Sequence, residues 1–161
     1  MIAKKGVNQN NLSFNIGSLF LIILIDQVLK AFILKSLQPD HSLPIIKNIF
    51  HISLVLNKGI AFGLFKNQIL FYLVLPIMAI IWLILILFFS KESKQGIDRL
   101  YYFALSLILA GAISNLIDRL RFGFVIDFLD FRIWPVFNLA DCAITIGVTI
   151  TILRCIRLSY K

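Results

Sequence analysis

Four long apolar runs divide the sequence, and polar or alternating segments separate them. The runs cover residues 16–34, 69–89, 100–117 and 136–153. Each run is long enough for a helix that crosses a hydrocarbon core of about 30 Å. We therefore predict an all-α integral membrane protein with four transmembrane helices, folded as a single membrane-embedded domain over residues 1–161.

The connection over residues 35–68 has a different pattern. Apolar and polar residues alternate over 50–54, which is typical of a strand, and residues 57–59 (Asn-Lys-Gly) are a turn signal. These features predict a small β element that lies on the membrane on the extracytoplasmic side. The segment 50–65 is the part of the chain that we expect to close over a substrate, because it has glycines of its own.

The composition agrees with the apolar runs. The chain is 60% hydrophobic and only 15% charged, which is too apolar for a soluble globular domain. Its formal net charge is +8, but the basic residues are dispersed and no nucleic-acid-reading motif surrounds them. Anionic lipid headgroups are therefore the expected partner for this charge, and nucleic acid is not.

The basic residues also predict the orientation of the chain. They are packed into short segments at the two termini and in the 90–99 link, and short loops are what the positive-inside rule weighs. Both termini are therefore predicted to be cytoplasmic, with residues 35–68 and 118–135 outside. The first run is interpreted as a retained helix, since no small-x-small cleavage site follows it.

Cysteine and metal chemistry receive little support from the sequence. Cys142 and Cys155 lie in one apolar helix pattern, roughly 20 Å apart, which is too far for a disulfide. We expect both to be small core residues. Neither a His-Glu-x-x-His zinc motif nor a Gly-x-Ser-x-Gly nucleophile motif occurs, so we expect no metal and no cofactor.

Two aspartates near the C-terminal end are the strongest candidates for chemistry. Asp127 is flanked by apolar residues, which is consistent either with a pKa raised by burial or with an exposed loop residue. Asp141 stands three residues after Asn138, a good N-cap, so it is either a helix cap or part of a site. An aspartic protease requires at least two carboxylates that lie close together at a site that water can reach, such as a membrane edge.

Further polar residues lie inside the apolar runs, where ionisable groups are costly and indicate function by default. Asp26 and Lys30 are four apart and are predicted to form an intrahelical ion pair. Asn115 and Asp118 share a helix face with Gly111, which permits close helix approach. Asp118 is expected to pair with the adjacent Arg119 as a structural anchor.

Three motifs in this order resemble the bacterial lipoprotein signal peptidases, also called signal peptidase II. Residues 114–119 resemble the Gly-Asn-x-x-Asp-Arg stretch of that family, residues 125–128 its Val-x-Asp-Phe segment, and residues 137–141 its Phe-Asn-x-Ala-Asp segment. Residues 57–63 match its Asn-x-Gly-x-Ala-Phe-Gly stretch. The resemblance covers nearly the whole chain. The departures are small residues: Ser114 replaces the usual Gly before Asn115, and Ala110 stands where a second Gly is common.

The resemblance implies an intramembrane aspartic endopeptidase that cleaves the signal peptide from prolipoproteins just before a diacylglyceryl-modified cysteine. It implies that Asp127 and Asp141 form the catalytic dyad. We expect Asp127 to be the protonated acid and Asp141 the base that activates water. A substrate-binding or supporting role is implied for a further set of residues: Asp26, Asn57, Gly59, Asn115, Asp118, Arg119, Asn138 and Ala140.

The resemblance also implies partners and a location. The partners are prolipoproteins that carry a diacylglyceryl cysteine and the surrounding membrane lipids, and the enzyme is expected to be a monomer. The location is the bacterial plasma (inner) membrane, with the active site near the outer leaflet.

Two other functions compete with this hypothesis. A transporter or proton-coupled channel would use Asp26, Asp118 and Asp141 as a relay, but the aspartates cluster near one membrane face instead of lining a path. A structural membrane subunit would explain the predicted ion pairs, but it would give Asp127 no function.

Overall fold

The computed structural model describes residues 9–59, 73–89 and 99–159 of the chain. These residues form four helices and three strands. The elements are α1 (Gln9–Ser36), β1 (Ser42–Ile46), β2 (Phe50–Asn57), α2 (Leu75–Phe89), α3 (Arg99–Phe122), β3 (Val125–Asp130) and α4 (Leu139–Ser159).

Three of the helices are long and apolar enough to cross a membrane. The qualifying segments are Ile16–Ser36, Leu100–Phe122 and Leu139–Arg157, with mean hydropathies of 2.1, 1.8 and 1.8. Many large apolar side chains on these helices are exposed to the surroundings, among them Phe20 at 66% and Phe32 at 64%. Helices with apolar side chains on the outside are stable in lipid, so this is a membrane protein.

The predicted spans 16–34, 100–117 and 136–153 correspond to these three helices, although α3 continues to Phe122 and α4 begins only at Leu139. Within the predicted span 69–89, the structure describes residues from 73 onward. Leu75–Leu87 forms a shorter apolar helix there. The fourth span therefore stays a prediction.

Helices α3 and α4 pack closely because each contributes a glycine to the contact. A Cβ at Gly111 would overlap the carbonyl oxygen of Ala140, and one at Gly147 would lie 2.5 Å from the carbonyl oxygen of Ala104. Small residues at such crossings let helix backbones approach in a membrane. The close approach predicted at Gly111 is confirmed, and Gly147 is a second site of the same kind.

The β element is a three-stranded antiparallel sheet in the order β1-β2-β3. The strand predicted over 50–54 is confirmed as the first part of β2. The pattern does not predict its partner β3, whose residues are apolar on both faces and do not alternate. The sheet packs on the end of α1 through a buried cluster, Ile33, Leu54, Ile126 and Phe128.

The sheet leads directly into α4. Phe137 forms an antiparallel bridge with Leu129 of β3, and Asn138 follows it immediately before the first residue of the helix. The strand that carries Asp127 and the helix that carries Asp141 are thereby held side by side.

Candidate active site

Asp127 lies in the middle of β3 and is only 3% exposed, so the exposed-loop alternative does not apply. Its Oδ2 accepts a hydrogen bond of 2.9 Å from the Asn57 side-chain amide, and its Oδ1 accepts one of 2.7 Å from the Asn138 side-chain amide. Burial, and then the charge of Asp141, raise the pKa of Asp127 to about 7, while the two amide bonds lower it. The apolar neighbours of Asp127 in the sequence give no sign of these two donors.

Asp141 occupies the third position of α4 and forms a capping box with Asn138. The backbone amide of Asp141 donates to Asn138 Oδ1 at 2.9 Å, and Asp141 Oδ2 accepts from the Asn138 amide at 3.2 Å. The predicted N-cap is therefore confirmed. The other carboxylate oxygen, Oδ1, accepts a bond of 2.8 Å from the Asn115 side chain. The helix N-terminus and these donors stabilise negative charge on this carboxylate.

Two asparagines connect the two aspartates. Asn138 donates to Asp127 through its side chain and to Asp141 through its backbone. Its side chain also donates to Asn115 Oδ1 at 3.1 Å, and Asn115 in turn donates to Asp141. Both amides are buried, so their orientation is set by these bonds, and the two carboxylates are held in a fixed relation.

A buried ionic cluster lies behind this pair of aspartates. Lys30 Nζ lies 2.7 Å from Asp26 Oδ2 and 2.8 Å from Asp118 Oδ2, and all three side chains are at most 1% exposed. The ammonium also donates to Asn115 Oδ1 at 2.9 Å. The predicted Asp26–Lys30 pair is thus confirmed. Through Asn115, the cluster is connected to Asp141 and Asn138.

The carboxylates of this cluster also bind backbone amides. Asp26 Oδ1 accepts from the amide of Ala140 at 3.0 Å, in the first turn of α4, and Asp118 Oδ2 accepts from the amide of Ile126 at 3.2 Å. Asp26 further accepts a short bond of 2.6 Å from the Ser114 hydroxyl. The cluster therefore joins α1 and α3 to the start of α4 and to β3.

The expected pairing of Asp118 with Arg119 is wrong. Consecutive residues of a helix point about 100° apart, and Asp118 turns towards Lys30 and Gln27, whose side-chain amide donates at 2.8 Å. Arg119 instead lies beside the cavity described next, and its Nη2 donates to the Gly59 carbonyl at 3.4 Å. Its Nε is buried without a hydrogen-bond partner among the residues that the structure describes.

A cavity of about 740 Å³ opens in front of Asp127 and Asp141. Its polar lining combines the two aspartates with two amides and a guanidinium, and its remaining walls are largely apolar. The polar lining residues are Asn57, Asn115, Arg119, Asp127, Asp141 and Thr145, and the other walls include Ala112, Val125, Trp134, Phe137, Ile144 and Ile146. The volume falls in the range of small-molecule and cofactor sites.

The structure brings together most of the residues singled out in the sequence. Five of them line the cavity, Asn138 joins the two aspartates, and Gly59 lies beside the Arg119 guanidinium, where its amide donates to Asn57 Oδ1 at 3.0 Å. Asp26, Asp118 and Ala140 lie behind the two aspartates that line the cavity. Residues 60–65 of the predicted closing segment lie outside the described residues, and they include Ala61, Phe62 and Gly63 of the family motif.

Some participants were missed or misjudged. Gln27, Ser114 and Trp134 had no role in our sequence interpretation, because their contacts join residues far apart in the chain. Cys142 is half-buried and lines the cavity, and Cys155 is exposed, so the expectation that both are core residues is wrong. Over residues 9–59, 73–89 and 99–159, no group of three or more metal-binding side chains occurs.

The transporter hypothesis fails on the same contacts. It needs Asp26 and Asp118 to exchange protons along a path, but both carboxylates are tied to the Lys30 ammonium and to backbone amides. The structural-subunit hypothesis leaves the cavity and its paired aspartates unexplained.

Comparison with known proteins gives a consistent result. The family model described as signal peptidase (SPase) II matches residues 18–157. The lipoprotein signal peptidase of Moorella thermoacetica is 48% identical over 130 residues, which cover 81% of this chain and 84% of that protein. The enzyme of Halothermothrix orenii is 41% identical over 133 residues, which cover 83% and 88%.

Two solved structures share the fold, and both are described as bacterial membrane enzymes determined by the in meso method. The first superposes with a TM-score of 0.81 at 30% sequence identity and covers 90% of this chain and 88% of its own. The second has a TM-score of 0.77 at 31% identity, with coverage of 89% and 92%.

Proposed function

The chain belongs to the signal peptidase II family, and from that premise we propose that Asp127 and Asp141 are its catalytic dyad. It is a membrane protease that cleaves the signal peptides of prolipoproteins. One observation carries the assignment of the dyad. Two buried or half-buried carboxylates, connected by Asn138 and Asn115, stand together at the polar end of a cavity with apolar walls.

The two carboxylates differ in their setting, since Asp127 lies in a strand and Asp141 in the first turn of a helix. Asp127, whose pKa is raised to about 7, holds the proton and polarises the carbonyl of the scissile bond. Asp141 is the base that takes a proton from the attacking water. The water oxygen then bonds to the carbonyl carbon, and the C–N bond breaks as the dyad supplies a proton to the leaving amine.

The surrounding polar residues are proposed to hold the dyad and the substrate backbone. Asn115 and Asn138 orient the carboxylates through the hydrogen bonds given above. Asn57 lies beside Asp127. The Arg119 guanidinium, whose Nε has no hydrogen-bond partner among the described residues, and its neighbour Gly59 would contact the peptide. The enzyme is also proposed to act as a monomer.

The apolar walls support a lipid-modified substrate. A diacylglyceryl group on the cysteine after the scissile bond would remain among apolar side chains such as Trp134 and Ile146 while the peptide bond reaches the dyad. We expect a detergent-solubilised preparation to cleave a diacylglyceryl-modified prolipoprotein efficiently. The same precursor without the lipid should be cleaved at least about tenfold more slowly, since burial of each CH₂ contributes roughly 0.8 kcal/mol. Equal rates for the two precursors would rule out lipid recognition.

The proposed location is the bacterial plasma (inner) membrane, crossed by four helices that include residues 69–89. Both termini are cytoplasmic and the dyad lies near the outer leaflet, as the distribution of basic residues suggests. A cysteine introduced at Lys47 or Arg132 should react with an impermeant thiol reagent on intact cells, or on spheroplasts where an outer membrane intervenes. A cysteine at Lys94 should not react, and labelling there would invert the orientation.

The protonation of Asp127 predicts the pH dependence of cleavage. The pKa of Asp127 is raised from 3.8 to about 7, so the required proton is present below pH 7 and is lost above it. We expect kcat/KM to fall by about tenfold per pH unit above this value. Because the carboxylates titrate as a pair, infrared difference spectra of the single Asn variants are needed to assign the proton. A carboxyl band that persists in Asp127→Asn and vanishes in Asp141→Asn would reverse the roles.

A further inference from the structure

Strand β2 contains an extra residue just before it reaches the dyad. Ile52 stands opposite Leu129 of β3, but the next paired residue, Val55, stands opposite Asp127. Two residues of β2, Ser53 and Leu54, therefore face one residue of β3. This is a β-bulge, a feature that is common next to active sites because it redirects the side chains that follow it.

The bulge determines which face of the sheet carries Asn57. Side chains alternate between the faces of a strand, and residues directly opposite each other share a face. Ile52 lies on the face of Asp127, so unbroken alternation would place Asn57 on the other face. With the extra residue, Asn57 stands opposite Val125 instead, and its amide reaches Asp127 Oδ2 at 2.9 Å.

A polar network centred on the buried residues Ser53 and Asp130 holds the bulge in place. The Ser53 hydroxyl, in a residue 5% exposed, donates to Asp130 Oδ2 at 2.8 Å and lies 3.0 Å from the Ser42 hydroxyl of β1. Asp130 is itself held by Arg132, through the backbone amide at 2.8 Å and the guanidinium at 3.0 Å. The second bulge residue, Leu54, is 1% exposed in the core under the sheet.

We propose that Ser53 and Asp130 are positioning residues for the reaction: by holding the bulge, they keep the Asn57 amide against Asp127. Neither residue touches the cavity, and each would act only through Asn57. This proposal rests on the assignment of Asp127 as a member of the dyad.

The hydrogen bond from Asn57 lowers the pKa of Asp127, in opposition to burial. The other charges that act on this carboxyl, namely Asp141 on α4, Lys30 on α1 and Arg119 on α3, stay in place when Ser53 changes. Loosening of the bulge should therefore raise the pKa of Asp127 and move the alkaline limb of the rate profile upward. The net free energy of one hydrogen bond corresponds to an upward shift of the alkaline limb by about 0.5–1 pH unit.

The test compares kcat/KM against pH for Ser53→Ala, Asn57→Ala and the double variant. Ser53→Ala and Asn57→Ala should both shift the limb upward, and the double variant should shift it no further than Asn57→Ala does. Ser53→Thr, which keeps the hydroxyl, should restore the original profile. Ser106→Ala is the matched control, because Ser106 is also buried but donates to the Tyr102 carbonyl in α3, far from β2 in the chain.

Several outcomes would overturn the proposal. Lower thermal stability of Ser53→Ala with an unchanged profile would make the network purely structural. A further shift in the double variant would show that Ser53 does not act through Asn57. If Ser53→Ala does not fold, Asp130→Asn is measured in its place and should shift the limb upward. An unchanged profile of Asp130→Asn would also contradict the proposal. An active Asp127→Asn variant would instead refute the dyad assignment, and that result can be distinguished from all of these.

Discussion

Replacement of Asp127 or Asp141 by asparagine is expected to lower turnover by about 10³-fold or more and to leave the protein folded. Asparagine keeps the shape of aspartate and can still accept hydrogen bonds from the neighbouring amides. It cannot deliver or take up the proton that peptide hydrolysis requires, and loss of a group that acts as part of a unit removes most of the catalysis. Cleavage of a lipid-modified prolipoprotein is the measurement.

The two variants should lose turnover to a similar extent, because the reaction needs both the acid and the base. Asp40→Asn is a matched control: Asp40 is exposed, and its positive φ of 63° is a conformation that asparagine also tolerates. Its turnover should stay within about twofold of the starting enzyme. If either dyad variant kept more than a tenth of the activity, the catalytic residues would have to be sought elsewhere.

The dyad could be recognised in the sequence because its signals are local. Asn138 and Asp141 are three residues apart and form the capping box that this spacing predicts. The apolar neighbours of Asp127 correctly indicated burial, although they gave no sign of the two amides that bind it. Both amides come from residues outside its own segment, one of them 70 positions away.

Contacts between distant segments could not be predicted in the same way. Lys30 was paired with Asp26 from the helical spacing, but its contact with Asn115 spans 85 residues. Asp118 was assigned to Arg119 only because the two are adjacent. A single sequence shows which residues share a helix face, but not which other helix that face meets. The pairing of β3 with β2 was missed for the same reason.

The bulge shows how a local pattern can fail at the point where it matters. Alternation over 50–54 correctly predicted a strand, but continued as far as Asn57 it would place this residue away from Asp127. The extra residue is visible only once β3 is aligned beside β2.

Removal of the Lys30 ammonium is expected to have the largest effect on stability. In Lys30→Met, the carboxylates of Asp26 and Asp118 would remain buried, close together and without a counter-charge. Breaking a buried ion pair by removing one partner costs roughly 3–5 kcal/mol. Here the removal of one ammonium leaves two buried carboxylates that repel each other. Thermal unfolding in detergent should show a large loss of stability, with activity lost in parallel because Asn115 would lose its contact.

Two further variants make the test specific to the charge balance. Lys35→Met, on the exposed last turn of the same helix, makes the same chemical change and should alter stability by less than about 0.5 kcal/mol. Asp118→Asn leaves a single matched pair between Lys30 and Asp26, so it should cost less than Lys30→Met.

Asp118→Ala should also lose stability and activity together, because it removes the acceptor of the Ile126 amide as well as one charge. Since that amide belongs to the strand residue just before Asp127, loss of the bond would disturb the dyad only through the fold. Normal melting of Asp118→Ala with no turnover would instead place Asp118 in the chemistry itself. The cluster acts as a scaffold only if stability and activity fall together. If Lys30→Met melted like Lys35→Met, the buried ion pairs would not stabilise the packing of the helices behind the proposed dyad.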